Sequence, residues 1–253
     1  MKISIITVCF NSARTLGDTL QSVAAQTHPD IEHIVVDGGS EDGTLAVIKR
    51  YRQLLSKVIS EPDRGVYDAM NKGIGMATGE VIGFINSDDF YAGNTALSHI
   101  AEAFSDPAIE ACFGDLVYVD QQDPSRIVRY WKSCTYRLGR FEYGWVPPHP
   151  TFFVRRSVYE RLGGFNLNFL LAADMELMLR FLEVHRICSV YVPRTLIKMR
   201  LGGKTNQSLS NVIQQNREIM AALKQHGLRA SWFRLLGHKL WSRGRQFFVH
   251  PRT

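Results

Sequence analysis

Three acidic sites fall at apolar, β-branched runs: Asp37 after Ile34-Val35-Val36, the pair Asp88-Asp89 after the run from Val81 to Asn86, and Asp115 within the run at 111–118. Such runs read as buried strands, and ligands of open α/β sheets bind where parallel strands end. A carboxylate there is badly placed for a core and well placed for a ligand. Adjacent carboxylates put one side chain on each face of the chain. One can then meet a ribose hydroxyl while the other takes a hard divalent cation such as Mg2+ or Mn2+. Asp37 can accept hydrogen bonds from a base or ribose, or equally cap a helix. All of these sites together favour a ligand site.

Apolar periodicity sets the elements that must hold these residues. Strands are expected at 3–9, 32–37, 57–60, 81–86 and about 111–118, and helices at about 13–25, 43–55, 67–77, 95–104, 156–162 and 175–183. The alternation of strand and helix from the first residues argues for an α/β fold with a parallel sheet and right-handed crossovers. Residues 120–144 are polar and aromatic with weak periodicity, and 149–154 reads as extended. No repeat or low-complexity linker interrupts the chain.

At 253 residues there is room for one large domain, or one domain with a short appendage. The start of the chain, Met1 to Val8, is a strand pattern rather than a signal peptide, and no window approaches a membrane-spanning length. A cytoplasmic location is the expectation. Cys9, Cys112, Cys134 and Cys188 are scattered, so neither a zinc site nor a disulfide framework is indicated. The net charge of +6 is uneven: Ile219 to Thr253 carries seven Lys or Arg and no acid, leaving 23 basic and 24 acidic side chains before it. The chain is a neutral body with a basic tail.

Several ordered motifs resemble glycosyltransferase family 2, which adopts the GT-A fold. They are the segment from Ser4 to Asn11, Val35-Val36-Asp37-Gly38-Gly39-Ser40 continuing to Thr44, the run from Ser60 to Gly73, Asn86-Ser87-Asp88-Asp89, and Pro148-His149-Pro150 continuing to Phe153. The resemblance covers roughly residues 1–205. It implies an inverting, metal-using transferase with a nucleotide-sugar donor. On that basis Thr7, Phe10 and Asn11 line the nucleotide pocket, Asp37 binds a uracil-like base, Asp88 contacts the ribose and Asp89, with Asp88 beside it, holds the cation. Arg64 and Lys72 neutralise the donor phosphates or hold the ribose, or are solvated surface charges. Lys204, in the segment 202–206, belongs to a loop that closes over the diphosphate or to an ordinary turn.

On the acceptor side, Asp174 resembles the catalytic base, with Glu176 two residues on and pointing to another face; Asp174 reads otherwise as a helix cap. This motif departs from the family's adjacent Glu-Asp pair. His149 resembles a position that shapes the acceptor side, with a metal role or a structural one as alternatives. Trp145 can stack on an acceptor sugar or fill the core. Residues 1–215 are expected to form the catalytic domain, with 1–118 the donor half and 119–215 the acceptor half, and 216–253 the tail.

The expected acceptor is a saccharide, free or polyprenyl-linked, in surface-polysaccharide synthesis. In residues 228–250, Leu228, Trp232, Phe233, Leu235, Leu236 and Leu240 share a helical sector into which Arg229 and Lys239 intrude. Such a helix can lie on an anionic membrane surface, or pack on the catalytic domain or a homodimer partner. A nucleic-acid surface is disfavoured by confinement of the basic residues to one short tail. A catalytically silent sugar-nucleotide binder is opposed by the intact acids. A nucleotidyltransferase expects a Gly-rich basic loop where Phe10-Asn11-Ser12-Ala13-Arg14 stands, and a dinucleotide oxidoreductase expects a Gly-x-Gly-x-x-Gly there.

Overall fold

The computed structural model describes residues 1–202, 208–229, 231–233, 235, 237, 244 and 246. Four strands lie parallel at one side of the sheet: β1 (Ile3–Cys9), β2 (Ile31–Asp37), β3 (Lys57–Ser60) and β4 (Val81–Asn86). They are linked by α1 (Leu16–Ala24), α2 (Thr44–Arg50) and α3 (Val66–Met76). β1 alternates cleanly, with Ile3 and Ile5 in one core and Ile6 and Val8 in the other, as a strand covered on both faces requires. This half follows the elements read from the sequence to within a few residues.

The second half widens the sheet. β5 (Phe90–Tyr91), β6 (Ala111–Val119), β7 (Ile127–Trp131), β8 (Phe153–Arg155) and β9 (Ser189–Arg200) join it, with α4 (Ala96–Ala103), α5 (Arg156–Leu162), α6 (Ala173–Leu179) and α7 (Leu209–Gln225). Among the described residues the order is β3-β2-β1-β4-β8-β6-β9-β5, with β7 paired to β6 outside that path. β8 runs antiparallel to both β4 and β6, whereas β9 is parallel to β6.

Three local features differ from the periodicity reading. Pro193 interrupts the apolar pattern of β9, yet the register shifts around Asp115 carry the pairing with β6 past it. Residues 149–151 form a 3-10 turn rather than strand, because Thr151 Oγ1 donates to the carbonyl of Pro148 at 2.8 Å and closes the turn locally. The helix expected to reach 183 stops at Leu179 and widens into one π-turn, Arg180–Val184. There the Arg180 guanidinium donates to the carbonyls of Leu162 and, at 2.6 Å, Gly164, tying the turn to the end of α5.

The helix α7 crosses residue 215 and buries Ile219, Ala222 and Leu223 in the larger core. Its Glu218 Oε2 accepts from the backbone N–H groups of Leu171 (2.8 Å) and Ala172 (3.0 Å). Ala172 is the N-cap of α6 and Leu171 stands just before it, so α7 anchors the entry to a helix whose own N-cap residue makes no side-chain cap. Farther on, Leu235 is buried and packs over Gly144, while Phe233 is 94% exposed. Arg229 N–H donates to Glu142, and Tyr130 N–H to the carbonyl of Gln246. Leu236, Lys239 and Leu240 lie outside the described residues, and among the described ones no helix is long and apolar enough to cross a membrane.

At the opposite end of the sheet from the strand-end acids, the buried Glu32 ties three elements. It accepts from Ser4 Oγ (2.6 Å), from Thr78 N and Oγ1 (2.7 and 2.8 Å), and pairs with Lys57 Nζ (3.0 Å). Burial alone would raise its pKa, but these donors outweigh burial and hold it at about 2. A depressed folded pKa stabilises above the unfolded value and is lost as pH falls through the folded one. We expect Glu32→Gln to cost about 2 kcal/mol at neutral pH. Urea melts of both proteins should show that difference shrink between about pH 4.5 and pH 2; a pH-independent difference would assign the loss to shape alone.

Candidate active site

The carboxyl ends of β1, β2 and β4 open into a cleft of about 1710 Å3 that reaches across to α6 and the 130–150 segment. Phe10, Asn11, Asp88, Trp145, His149 and Asp174 all line it. The loop after β1 forms one wall. Asn11 adopts a left-handed backbone (φ 49°), a conformation Asn tolerates better than most residues. Its N–H donates to Ser40 Oγ (2.8 Å) and its Oδ1 accepts from Glu41 N (3.0 Å). Ser12 N–H donates to Thr44 Oγ1 at 2.8 Å, so the ends of β1 and β2 are laced together. The turn leaves Phe10 62% exposed in the cleft, an apolar face available for stacking.

Asp88 and Asp89 form the turn beyond β4. Asp89 is fully buried, accepting from Asn86 Nδ2 (2.9 Å) and from the N–H of Arg200 (3.3 Å). Arg200, at the end of β9, also donates to the Asp88 carbonyl (2.8 Å) and to Asp18 Oδ2 (2.5 Å). Burial pushes both carboxyls upward, and for Asp89 the neighbouring Asp88 charge adds to the rise. A pair of crowded carboxylates beside an open cleft suits a divalent cation, which removes that repulsion. Among the described residues no group of three His, Cys, Asp or Glu could hold a metal by itself. Of the two, Asp88 lines the cleft, while Asp89 lies buried behind it with both oxygens accepting protein hydrogen bonds. A cation of the Mg2+ kind, which takes its remaining ligands from water and substrate phosphates, would reach Asp89 only in exchange for those bonds.

On the far wall, Asp174 is the second residue of α6 and makes no capping bond to that helix. Its Oδ1 instead accepts from Tyr67 Oη at 3.0 Å. Tyr67 stacks on Phe165, and burial followed by the Asp174 charge raises its pKa well above the usual phenol value. The phenol therefore stays a donor, and the other oxygen of Asp174 is left for a ligand. His149 is packed against Phe84 (5.8 Å) and Phe165 (5.7 Å), and burial lowers its pKa against the opposing Asp174 charge. It is a neutral, aromatic-packed ring, and no described cluster gives it metal partners. Trp145 packs on Phe113, Tyr136 and Phe141 with part of its surface in the cleft.

Other sequence-expected residues lie elsewhere. Thr7 is buried in β1, hydrogen-bonded to His33 Nε2 at 2.9 Å, because its side chain points into the sheet layer rather than past the strand end. Asp37 is buried and accepts from Ser40 N (3.0 Å), Ser60 Oγ (2.7 Å), Gly39 N (3.2 Å) and Ser40 Oγ (2.5 Å). Its pKa falls because these donors outweigh burial, and its work is to hold the turn after β2. Arg64 pairs with Asp68 (2.9 Å) and Lys72 with Glu61 (2.8 Å), both outside the cleft lining. Glu176 is buried between Arg180 (3.0 Å) and His226 (2.8 Å), a structural knot joining α6 to α7. Lys204 lies outside the described residues. Arg14, Asp63, Tyr67 and Arg200 line the cleft without having been singled out from the sequence as donor ligands or base partners.

Comparison with known proteins places this architecture. The model of glycosyl transferase family 2 matches residues 4–163. An uncharacterized glycosyltransferase of Mycobacterium tuberculosis H37Rv is 37% identical over 185 residues, 70% of this chain and 68% of that protein. A PGL/p-HBAD biosynthesis glycosyltransferase of Mycobacterium bovis BCG is 32% identical over 180 residues, with the same shares of 70% and 68%. Among solved structures, S. aureus TarS 1-349 in complex with UDP-GlcNAc superimposes with a TM-score of 0.65 at 18% identity, covering 88% of this chain and 66% of that one. The chain spans 40% of a longer TarS chain. The mannosyltransferase PcManGT from Pyrobaculum calidifontis, in complex with GDP-Man and Mn2+, gives 0.67 at 18% identity, covering 95% and 69%. At that identity the structures establish the shared GT-A fold, and the family match with the mycobacterial relatives establishes the rest: the chain is a glycosyltransferase and belongs to glycosyl transferase family 2.

Proposed function

We propose that this glycosyltransferase moves a sugar, with inversion, from a nucleoside-diphosphate sugar, a UDP-sugar in the first instance, to a hydroxyl of a saccharide or lipid-linked saccharide in surface-polysaccharide synthesis. The observation that carries the reading is that two acidic groups line one cleft: Asp88 at the end of β4, with Asp89 buried behind it, and Asp174 at the start of α6. UDP-GlcNAc in TarS and GDP-Man with Mn2+ in PcManGT support a sugar nucleotide as the donor class.

In this reading the acceptor oxygen attacks the anomeric carbon from the side opposite the diphosphate. The bond from that carbon to the phosphate oxygen breaks, and the diphosphate leaves with the electron pair. Asp174 takes the acceptor hydroxyl proton, and inversion follows from the single displacement. Tyr67 fixes the rotamer of Asp174 by donating to its Oδ1. Asp89 and Asp88 would hold a divalent cation, which supplies charge neutralisation for the departing diphosphate. Phe10 offers its face to the base, and Arg200 keeps the two acids in place from β9. Trp145 and the aromatic wall behind it suit the apolar face of an acceptor sugar.

Thermal melting tests the donor side. UDP with Mn2+ at about 100 times its Kd should add about 2.7 kcal/mol, a rise of roughly 5–10 °C. That rise should vanish without Mn2+ and in Asp89→Asn, which keeps the side-chain shape. A rise indifferent to metal and to Asp89 would sink the cation assignment.

The acceptor side is tested by kinetics. Asp174→Asn should lower kcat by roughly 10^2–10^4-fold, the usual range for a lost proton acceptor. Tyr67→Phe should lower kcat less, by roughly 10-fold, because the carboxylate loses the hydrogen bond that holds its rotamer. An unchanged kcat would reduce Tyr67 to packing.

A further inference from the structure

We propose that Asp63 selects the nucleobase, its Oδ2 accepting a hydrogen bond from a base with a ring N–H on its pairing edge: uracil, thymine or guanine. The proposal rests on the reading of the cleft as a nucleoside-diphosphate-sugar site, and deepens it. The donors around Asp37 occupy its carboxylate within the turn after β2, so it is not the group that meets a ligand. Asp42 lines the same corner, but its oxygens accept from Ala13 N (3.1 Å), Thr44 N (2.9 Å) and Thr44 Oγ1. Asp63 differs from both. Its Oδ1 accepts from Gly65 N–H at 2.8 Å, which fixes the plane of the carboxylate, and among the described residues Oδ2 receives no protein hydrogen bond.

The place where Oδ2 points is defined by Gly38. A Cβ on Gly38 would sit 2.5 Å from Asp63 Oδ2 and 3.5 Å from Cδ2 of the exposed Phe10 ring. The carboxylate oxygen thus takes the space that a side chain on the β2 loop would fill, and it does so beside the one exposed aromatic of the β1 loop. Phe10, Gly38 and Asp63 all line the cleft. A planar heterocycle stacked on Phe10 would present its edge to Oδ2. An acceptor there pairs with the N3–H of uracil or thymine, or the N1–H of guanine. It opposes the N3 lone pair of cytosine, and a buried acceptor facing an acceptor costs about 1–3 kcal/mol.

Calorimetric titration of the whole chain with UDP, GDP, CDP and inorganic pyrophosphate, each with Mn2+, tests this. Asp63→Asn keeps an oxygen for Gly65 N–H and turns the cleft-facing atom from acceptor to donor. Wild type should bind UDP or GDP at least about 10-fold tighter than CDP, and Asp63→Asn should shrink or reverse that ratio by a similar factor. Pyrophosphate affinity should not change, which also certifies that the variant is folded. In the double variant Gly38→Asp with Asp63→Ala the carboxylate moves to the neighbouring loop, and the preference should return. An unchanged UDP to CDP ratio in Asp63→Asn, with UDP still binding, overturns the assignment to Asp63 alone. An equal fall in pyrophosphate affinity overturns it too, since Asp63 would then act on the phosphates. Wild type that binds neither nucleotide nor pyrophosphate overturns the reading of the cleft itself.

Discussion

Asp88 and Asp89 place two carboxyl groups side by side at the end of β4, one of them with no exposed surface. Removing such charges from water costs several kcal/mol per ion unless something answers them. Within the protein the answer is partial: a side-chain amide from Asn86, one backbone N–H, and the guanidinium of Arg200, itself shared with Asp18. The strand β9 ends where Arg200 can reach both the turn and α1, and the edge strand β5, which follows the turn directly, pairs with it there. One buried guanidinium at the end of β9 thus faces the acidic turn at the end of β4. On the proposed reading, a bound cation would answer what remains.

The other wall depends on a relay of supports rather than on one residue. Asp174 is aimed by Tyr67 of α3, and the entry to its helix is anchored by Glu218 of α7. Glu176, on the same helix, is locked by Arg180 and His226. Three helices thus hold a single carboxylate in place, as the role proposed for Asp174 would require.

The first four strands were legible because apolar runs of β-branched residues end in turn residues at regular intervals, and no distant partner is needed to read them. The family was legible from the resemblance of its ordered motifs, from residues 4–11 to residues 148–153. Asp88, Asp89 and Asp174 were legible as acids at element ends for the same reason. Asp37 was legible in place but not in role, since the hydroxyls that occupy it come from Ser40 and from Ser60, 23 residues away. Arg64 could have been read better: Asp68 stands four positions on, the spacing of a helical ion pair. Arg200 was hidden because Pro193 breaks the period of its strand. Asp63 was hidden because its importance depends on an atom that Gly38 lacks, which only the folded loops reveal.

The collision between a side chain at position 38 and the carboxylate at 63 also has a meaning for how such chains diversify. The two loops contend for a single volume, so either can furnish the acid but not both. A lineage leaving one arrangement for the other must pass through a crowded intermediate or an empty one, each disfavoured. Substitution at either position is thereby tied to the residue at the other, and moving the acid from one loop to the other takes two changes rather than one.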